Sequence, residues 1–251
     1  MIIDAHAHAD EFQLFGWLDP PERVISLMDR AGIDISIITT YAEAPFSRSA
    51  IDNLVKYVDM YPDRLIGFVR MDPKGADEAV KVFEHTIRTY PRIKGMKLHP
   101  ISNLIKPYSP FCLNLLRKAA ELEVPVFTHC CDKPLAQPLQ IAKAAELCPE
   151  TTIICHMGGF FRGDEIIRVA RKYRNIYLDT SSIPYPSIVL KALEAIGPDR
   201  IVFATDNPAG DPVSDLAKIK NLNLPKDVEE KIFYKNIAKI LKLEFEGRRL
   251  K

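Results

Sequence analysis

Short β-rich runs recur along this chain about every 25 to 30 residues, at 2–8, 33–40, 65–71, 93–99, 124–129, 151–156, 176–181 and 200–206. The segments between them have helical spacing. Val24, Leu27, Met28 and Ala31 fall at i, i+3, i+4 and i+7, and so do Ala76, Ala79, Val80 and Phe83. Further helical stretches cover about 49–60, 111–122, 136–147, 163–173 and 186–196. A last one, about 226–242, puts Ile232, Phe233, Ile237, Ile240 and Leu241 on one side. Strands that alternate with helices imply βαβ units and a parallel sheet. Eight such units in 251 residues predict a (β/α)8 TIM barrel forming one domain over 1–251. A doubly wound open sheet is the alternative, but no Gly-rich phosphate loop follows the first run. The segments 9–20 and 99–110 are long enough to cover a barrel mouth.

The composition narrows the function classes. Apolar residues make up 47% of the chain, yet no apolar stretch approaches a membrane span. No leader pattern opens the sequence, so a cytoplasmic location is the expectation. The net charge is +1, with both signs mixed throughout, which argues against a dedicated nucleic-acid or membrane surface. Five cysteines without regular spacing argue against a disulfide framework. Cys112 and Cys148 read as small core residues.

The polar residues gather at strand ends, where a barrel enzyme carries its active site. Residues i and i+2 of a strand share a face. His6 and His8 therefore aim two imidazoles at one point, as a divalent metal requires. Five of the six histidines end predicted strands, His99, His129 and His156 completing the set. His85 lies mid-helix and reads as a surface residue. Asp206 ends the last strand and shares a face with Ala204 and Val202, while Lys97 and His99 share one on the fourth. A lysine and a histidine pointing into a barrel mouth are costly to desolvate without partners, which again suggests a site.

Six segments together resemble the amidohydrolase superfamily, in the branch that also contains metal-dependent aromatic-acid decarboxylases. They are His6-Ala7-His8, Gly95-Met96-Lys97-Leu98-His99-Pro100, Pro125-Val126-Phe127-Thr128-His129, His156-Met157-Gly158-Gly159, Tyr177-Leu178-Asp179-Thr180-Ser181 and Phe203-Ala204-Thr205-Asp206-Asn207-Pro208. A closing Lys231-Ile232-Phe233-Tyr234-Lys235-Asn236-Ile237-Ala238 is similar to the family's last helix. The resemblance implies one metal held by His6, His8, His129 and Asp206, with His156 as the acid/base beside it and Asp206 able to accept a proton. Imidazole and carboxylate donors suit Zn²⁺, one per chain, and also accept Mn, Fe or Co. Some relatives carboxylate a strand-four lysine to bridge two metals, so Lys97 is either that bridge or a charged group beside a single metal. The Lys-Leu-His-Pro context favours the single metal, with His99 behind the ligands or facing substrate.

Weaker expectations concern the rim. Trp17, Tyr41, Phe160 and Arg162 are candidate substrate-binding residues, with Phe12, Phe15, Phe46 and Phe161 as further aromatic walls. Arg70 and Arg162 are either carboxylate clamps or structural ion pairs. Cys130 and Cys131 flank His129 without a Cys-His-acid arrangement. The leading functional expectation is a metal-dependent hydrolase of a small-molecule amide, ester or lactone. The alternative is a non-oxidative decarboxylase or hydratase of a small carboxylic acid on the same site. A metallo-nuclease is disfavoured by the near-neutral charge and by Lys97 and His99 where related nucleases carry glutamates. The expected partner is a small-molecule substrate, with no nucleic acid and no membrane. The resemblance allows a homodimer, for which the residues carry no interface signature.

Overall fold

In the computed structural model, which describes residues 1–12, 17–247 and 249–250, eight strands lie in chain order in one sheet. They are β1 (Ile3–His8), β2 (Ile35–Thr39), β3 (Leu65–Arg70), β4 (Ile93–Leu98), β5 (Val126–Thr128), β6 (Ile153–His156), β7 (Ile176–Asp179) and β8 (Ile201–Val202). Every neighbouring pair is parallel. The helices between them are α1 (Pro21–Ala31), α2 (Ser49–Met60), α3 (Ala76–Thr89), α4 (Pro110–Glu121), α5 (Pro138–Leu147), α6 (Gly163–Lys172) and α7 (Ser187–Ile196), and α8 (Pro212–Lys220) comes after the last strand. The barrel closes through hydrogen bonds from Ala5 N–H to Phe203 O (2.8 Å), Asp206 N–H to His6 O (2.9 Å) and His8 N–H to Asn207 O (2.6 Å). This is the (β/α)8 architecture that the alternating pattern predicts.

Side-chain parity sorts the apolar residues into two sets. Ile3, Ala5, Ile35, Ile37, Ile66, Phe68, Phe127, Ile154, Val202 and Ala204 fill the barrel interior. Ile38, Val69, Met96, Val126, Cys155 and Leu178 belong to the layer shared with the helices. β1 breaks strict alternation. Asp4 pairs with Ser36 and Ala7 with Ile38, so three steps on β1 oppose two on β2. This bulge allows Ile3 and Ala5 to fill the interior while His6 and His8 also face inward. The sequence gives no sign of it. Asp4 Oδ1 accepts the His6 N–H at 3.1 Å, and Asp4 also takes Thr205 N–H (3.0 Å) and Oγ1–H (2.6 Å) across the seam.

Three features depart from the sequence expectations. The 9–20 segment is not an open loop but contains a short antiparallel pair, Asp10–Phe12 with Trp17–Asp19. Helix α8 follows β8, started by Pro212 and by an Asp211 side chain that accepts the Ser214 N–H. The final helix is interrupted. Lys226–Glu230 and Asn236–Ile240 are α-helical, with a π-turn over Lys231–Lys235 between them. Opening that turn places the Ile232 carbonyl where it accepts the Phe203 N–H at 2.9 Å. Asn236 Nδ2 then donates to Pro198 O and Ile201 O, both at 2.7 Å, and so pins the start of β8. Ile237 and Leu241 close the bottom of the barrel.

Gly95 on β4 lets the Phe68 ring fill the interior. A Cβ there would stand 2.7 Å from two Phe68 ring carbons and 2.8 Å from the Pro125 carbonyl oxygen, which backbone pairing holds in place. Gly95→Val should therefore destabilise the barrel by about 1–3 kcal/mol, read as a lowered urea midpoint with unchanged slope. An unchanged midpoint would show that this part of the interior is not close-packed.

Candidate active site

The C-terminal strand ends converge on three donor atoms. His6 Nε2 and His8 Nε2 each lie 3.2 Å from Asp206 Oδ1, and all three donors lie within 4.8 Å of one another. β1 delivers the two imidazoles from one face. Asp206 follows β8 in the left-handed region (φ 57°), which aspartate tolerates better than most residues. The turn holds through Asp206 N–H to His6 O and Gly210 N–H to Asp206 O, both 2.9 Å. Ser182 Oγ–H donates to Asp206 Oδ2 at 3.0 Å and leaves Oδ1 to the histidines.

Other side chains stand close by. The His129 ring stacks on His99 at 4.3 Å and meets the His156 ring edge-on at 4.9 Å. His129 lines the same cavity but is not one of the three clustered donors. His156 Nδ1 lies 2.9 Å from Asp179 Oδ2 and 3.1 Å from Ser181 Oγ, while its buried Nε2 has no partner among the described residues. Ser181 fixes Asp179 by donating both Oγ–H (2.5 Å) and N–H (2.7 Å) to Oδ1. Lys97 Nζ lies 3.1 Å from His6 Nε2 and 4.2 Å from the centre of the Phe127 ring.

His6, His8, Lys97, His99, His129 and Asp206 open into a cavity of about 820 Å³ at the barrel mouth, with His156 buried behind His6 and His129. Tyr41 stacks on His8 at 4.9 Å, and its hydroxyl donates to Asp19 Oδ2 at 2.9 Å. Arg70 lines the cavity beside Glu43, to which its Nε donates at 2.8 Å. Phe160 and Arg162 stand elsewhere: Phe160 is exposed and Arg162 pairs with Glu165 at 2.6 Å. They sit on the Gly158-Gly159 turn, whose two left-handed residues bring the Phe160 and Phe161 N–H groups onto the Asp132 carboxylate. Phe46 is also exposed. The Phe12 and Trp17 side chains and Phe15 lie outside the described residues. Asp179, Ser181 and Glu43 were not assigned roles from sequence. Asp179 obeys the rule that exposed Asp206, an acid of inward parity at a strand end. Glu43 lies in irregular chain and carries no such signal.

Burial governs the electrostatics. It holds His6 and His8 below the ordinary value of 6.5, and the nearby Lys97 charge adds to this. Burial, followed by the His156 charge, lowers His129 well below it, and burial with the Lys97 charge pulls His99 down to about 2. For Asp206 burial acts upward, but the hydrogen bonds to His6 and His8 prevail and keep it well below 3.8. Burial brings Lys97 down to about 7. Two neutral imidazoles and an ionised carboxylate are donors that fit a divalent metal.

A pH dependence of stability follows. Below 6.5 the unfolded chain takes up protons on His6, His8, His99 and His129 that the folded chain does not bind. Asp4, raised by burial from 3.8 to about 7, and Asp215, also raised by burial, oppose them with at most two protons held in the folded state. Four against two sets the sign. Melting temperature of the metal-free protein should fall from about pH 7.5 to about pH 5, and a flat or rising calorimetric profile would contradict this.

The comparisons with known proteins agree with this architecture. The amidohydrolase family model matches residues 3–243. A solved 2,6-dihydroxybenzoate decarboxylase from Rhizobium superposes with TM-score 0.79 at 17% identity, covering 96% of this chain and 98% of its own. The 5-carboxyvanillate decarboxylase from Sphingomonas paucimobilis gives 0.77 at 14%, with coverages of 96% and 98%. A dihydroxybenzoic acid decarboxylase from Polaromonas sp. JS666, with bound manganese and the inhibitor 2-nitroresorcinol, gives 0.78 at 17%, with 98% of each chain covered. At such identities the likeness is one of fold. No curated protein matches the sequence. With the family model spanning nearly all of its strands and helices, the chain belongs to the amidohydrolase family.

Proposed function

We propose that this protein is a metal-dependent lyase that removes CO2, without oxidation, from a small hydroxylated aromatic acid. The observation that carries the reading is the pair of buried basic side chains, Lys97 and Arg70, beside the three clustered donors in one cavity. Such a pocket suits an anionic substrate. The aromatic acids named for the three fold relatives support the same choice. Hydrolysis of an amide, ester or lactone, the first expectation from sequence, rests on the family's commonest chemistry alone and now ranks second.

His6, His8 and Asp206, with His129 adjacent, would hold one divalent metal, Zn²⁺ or the manganese present in the Polaromonas relative. Bound there, it would supply a Lewis acid that lowers the pKa of the substrate's ring hydroxyl, whose ionised form makes the ring carbon easier to protonate. The chain's own residues would move the proton. Asp179 and Ser181 engage His156 at Nδ1 and leave Nε2 to exchange a proton with the substrate. The ring carbon bearing the carboxylate takes that proton. The bond to the carboxylate then breaks, its electron pair returns to the ring, and CO2 departs. His156 is left neutral by this transfer and regains its proton from water, and Asp179 stabilises the charged imidazole that results. The low exposure of His6, Lys97 and His156 keeps bulk water from the reacting carbon.

The metal-loaded enzyme should release CO2 from members of a hydroxybenzoate panel and leave lactones and amides intact. Acid release from lactones without CO2 from the panel would put the hydrolase in its place. Within this reading, His156→Gln should keep its metal and lose about 10²–10⁴-fold in kcat. His129→Ala should lose both metal and turnover, as measured by elemental analysis and the CO2 assay. Full metal retention in that variant would remove His129 from the ligand set.

A further inference from the structure

We propose that Arg70 binds a second, non-reacting acidic group of the substrate, which makes the preferred substrate an aromatic diacid. This deepens the decarboxylase reading and rests on it. Arg70 ends β3 and pairs in register with Lys97 on β4, so two inward-facing cations stand side by side. Their surroundings differ. Lys97 Nζ is 3.1 Å from a clustered donor, His6 Nε2. The Arg70 guanidinium is directed instead to the loops after β2 and β4. Its Nε donates to Glu43 Oε1 and its Nη2 to Ser102 Oγ, both at 2.8 Å.

Glu43 is itself fixed. Its Oε1 also accepts Ser102 Oγ–H at 3.0 Å, and its Oε2 accepts Asn103 Nδ2–H at 2.8 Å. An arginine paired with a carboxylate frequently presents its fork to both oxygens. Here one N–H goes to Glu43, and the second oxygen of Glu43 is used by Asn103. A guanidinium has five N–H donors. Only two are used, and Nη1 has no hydrogen-bond partner among the described residues. Arg70 lines the cavity, so its unused N–H groups face that space, where a planar anion can take the place of water. A planar anion completes the set.

The chemistry assigns that anion to a part of the substrate that does not react. A guanidinium on the departing carboxylate would stabilise a charge that disappears as CO2 forms, and so would slow the step. On a spectator acid it binds ground state and transition state alike, tightening binding without opposing bond cleavage. Glu43, Ser102 and Asn103 hold the fork against swinging toward the reacting end.

The test is calorimetric binding of isophthalate and benzoate to the metal-loaded protein, which differ by one carboxylate. The variants are the double substitution E43Q/R70Q, which removes both charges so that neither is left buried alone, and Arg70→Lys. Wild type should bind isophthalate at least about tenfold more tightly than benzoate. The double variant should bind the two within about threefold of each other, with benzoate affinity little changed. No preference in wild type, or a preference that survives in the double variant, overturns the proposal. Should the double variant fail to give a cooperative melt, Arg70→Lys decides: selective weakening of isophthalate supports the assignment, and unchanged isophthalate affinity overturns it. Binding is read without turnover. A protein that discriminates the two acids but releases no CO2 would lose the proposed reaction and keep the diacid site.

Discussion

Asp206 is shared by the two ends of the chain. Its N–H joins β8 to β1 through the His6 carbonyl, and its Oδ1 lies 3.2 Å from both imidazoles of β1. The hydrogen bonds that close the barrel therefore also set the donor triangle. Asp4 reinforces the seam from beneath, since one buried carboxyl takes the bulge N–H of His6 and two donors of Thr205. Barrel closure and site assembly are one event, because neither β1 nor β8 presents a complete set of ligands alone.

Grouping so many polar side chains in the mouth has an energetic cost. Lys97, His6 and His156 are all nearly inaccessible to water, and Lys97 approaches His6 with no acid paired to it among the described residues. The protein limits the cost in two ways. Burial keeps the imidazoles neutral, and Asp206 and Asp179 each supply a negative charge to a neighbouring histidine. What remains are buried atoms at the mouth without partners among the described residues, His8 Nδ1 and His156 Nε2 among them. Such unmet valence is the mark of a site that a bound metal and substrate complete.

The two halves of the mouth divide the work under this reading. β1, β5, β6, β7 and β8 bring the clustered donors and the histidine that exchanges a proton. β2, β3 and β4, through Glu43, Arg70 and Ser102, supply a rigid cationic corner. Tyr41, held by Asp19 and stacked on His8, stands between them. Chemistry can remain fixed on one side while substrate preference changes on the other, as loop variation on this fold commonly allows.

The period of the chain determined the barrel. Eight short β-rich runs with i, i+3, i+4 spacing between them leave few other ways to bury the apolar faces. Parity at strand ends also placed Lys97, His156 and Asp206 inward, because each is set by one strand's own geometry. The β1 bulge, the π-turn at 231–235, the short pair in 9–20 and helix α8 were not legible. The bulge and the π-turn answer partners far away in sequence: Asp4 meets Thr205, and Ile232 meets Phe203. The same reason separates Arg70 from Arg162. Both are arginines near predicted strand ends, and sequence alone treats them alike. Only the folded chain puts Glu43, Ser102 and Asn103 around the first and an adjacent Glu165 beside the second. Local periodicity is written residue by residue, whereas the contents of a cavity depend on which loops the closed barrel brings face to face.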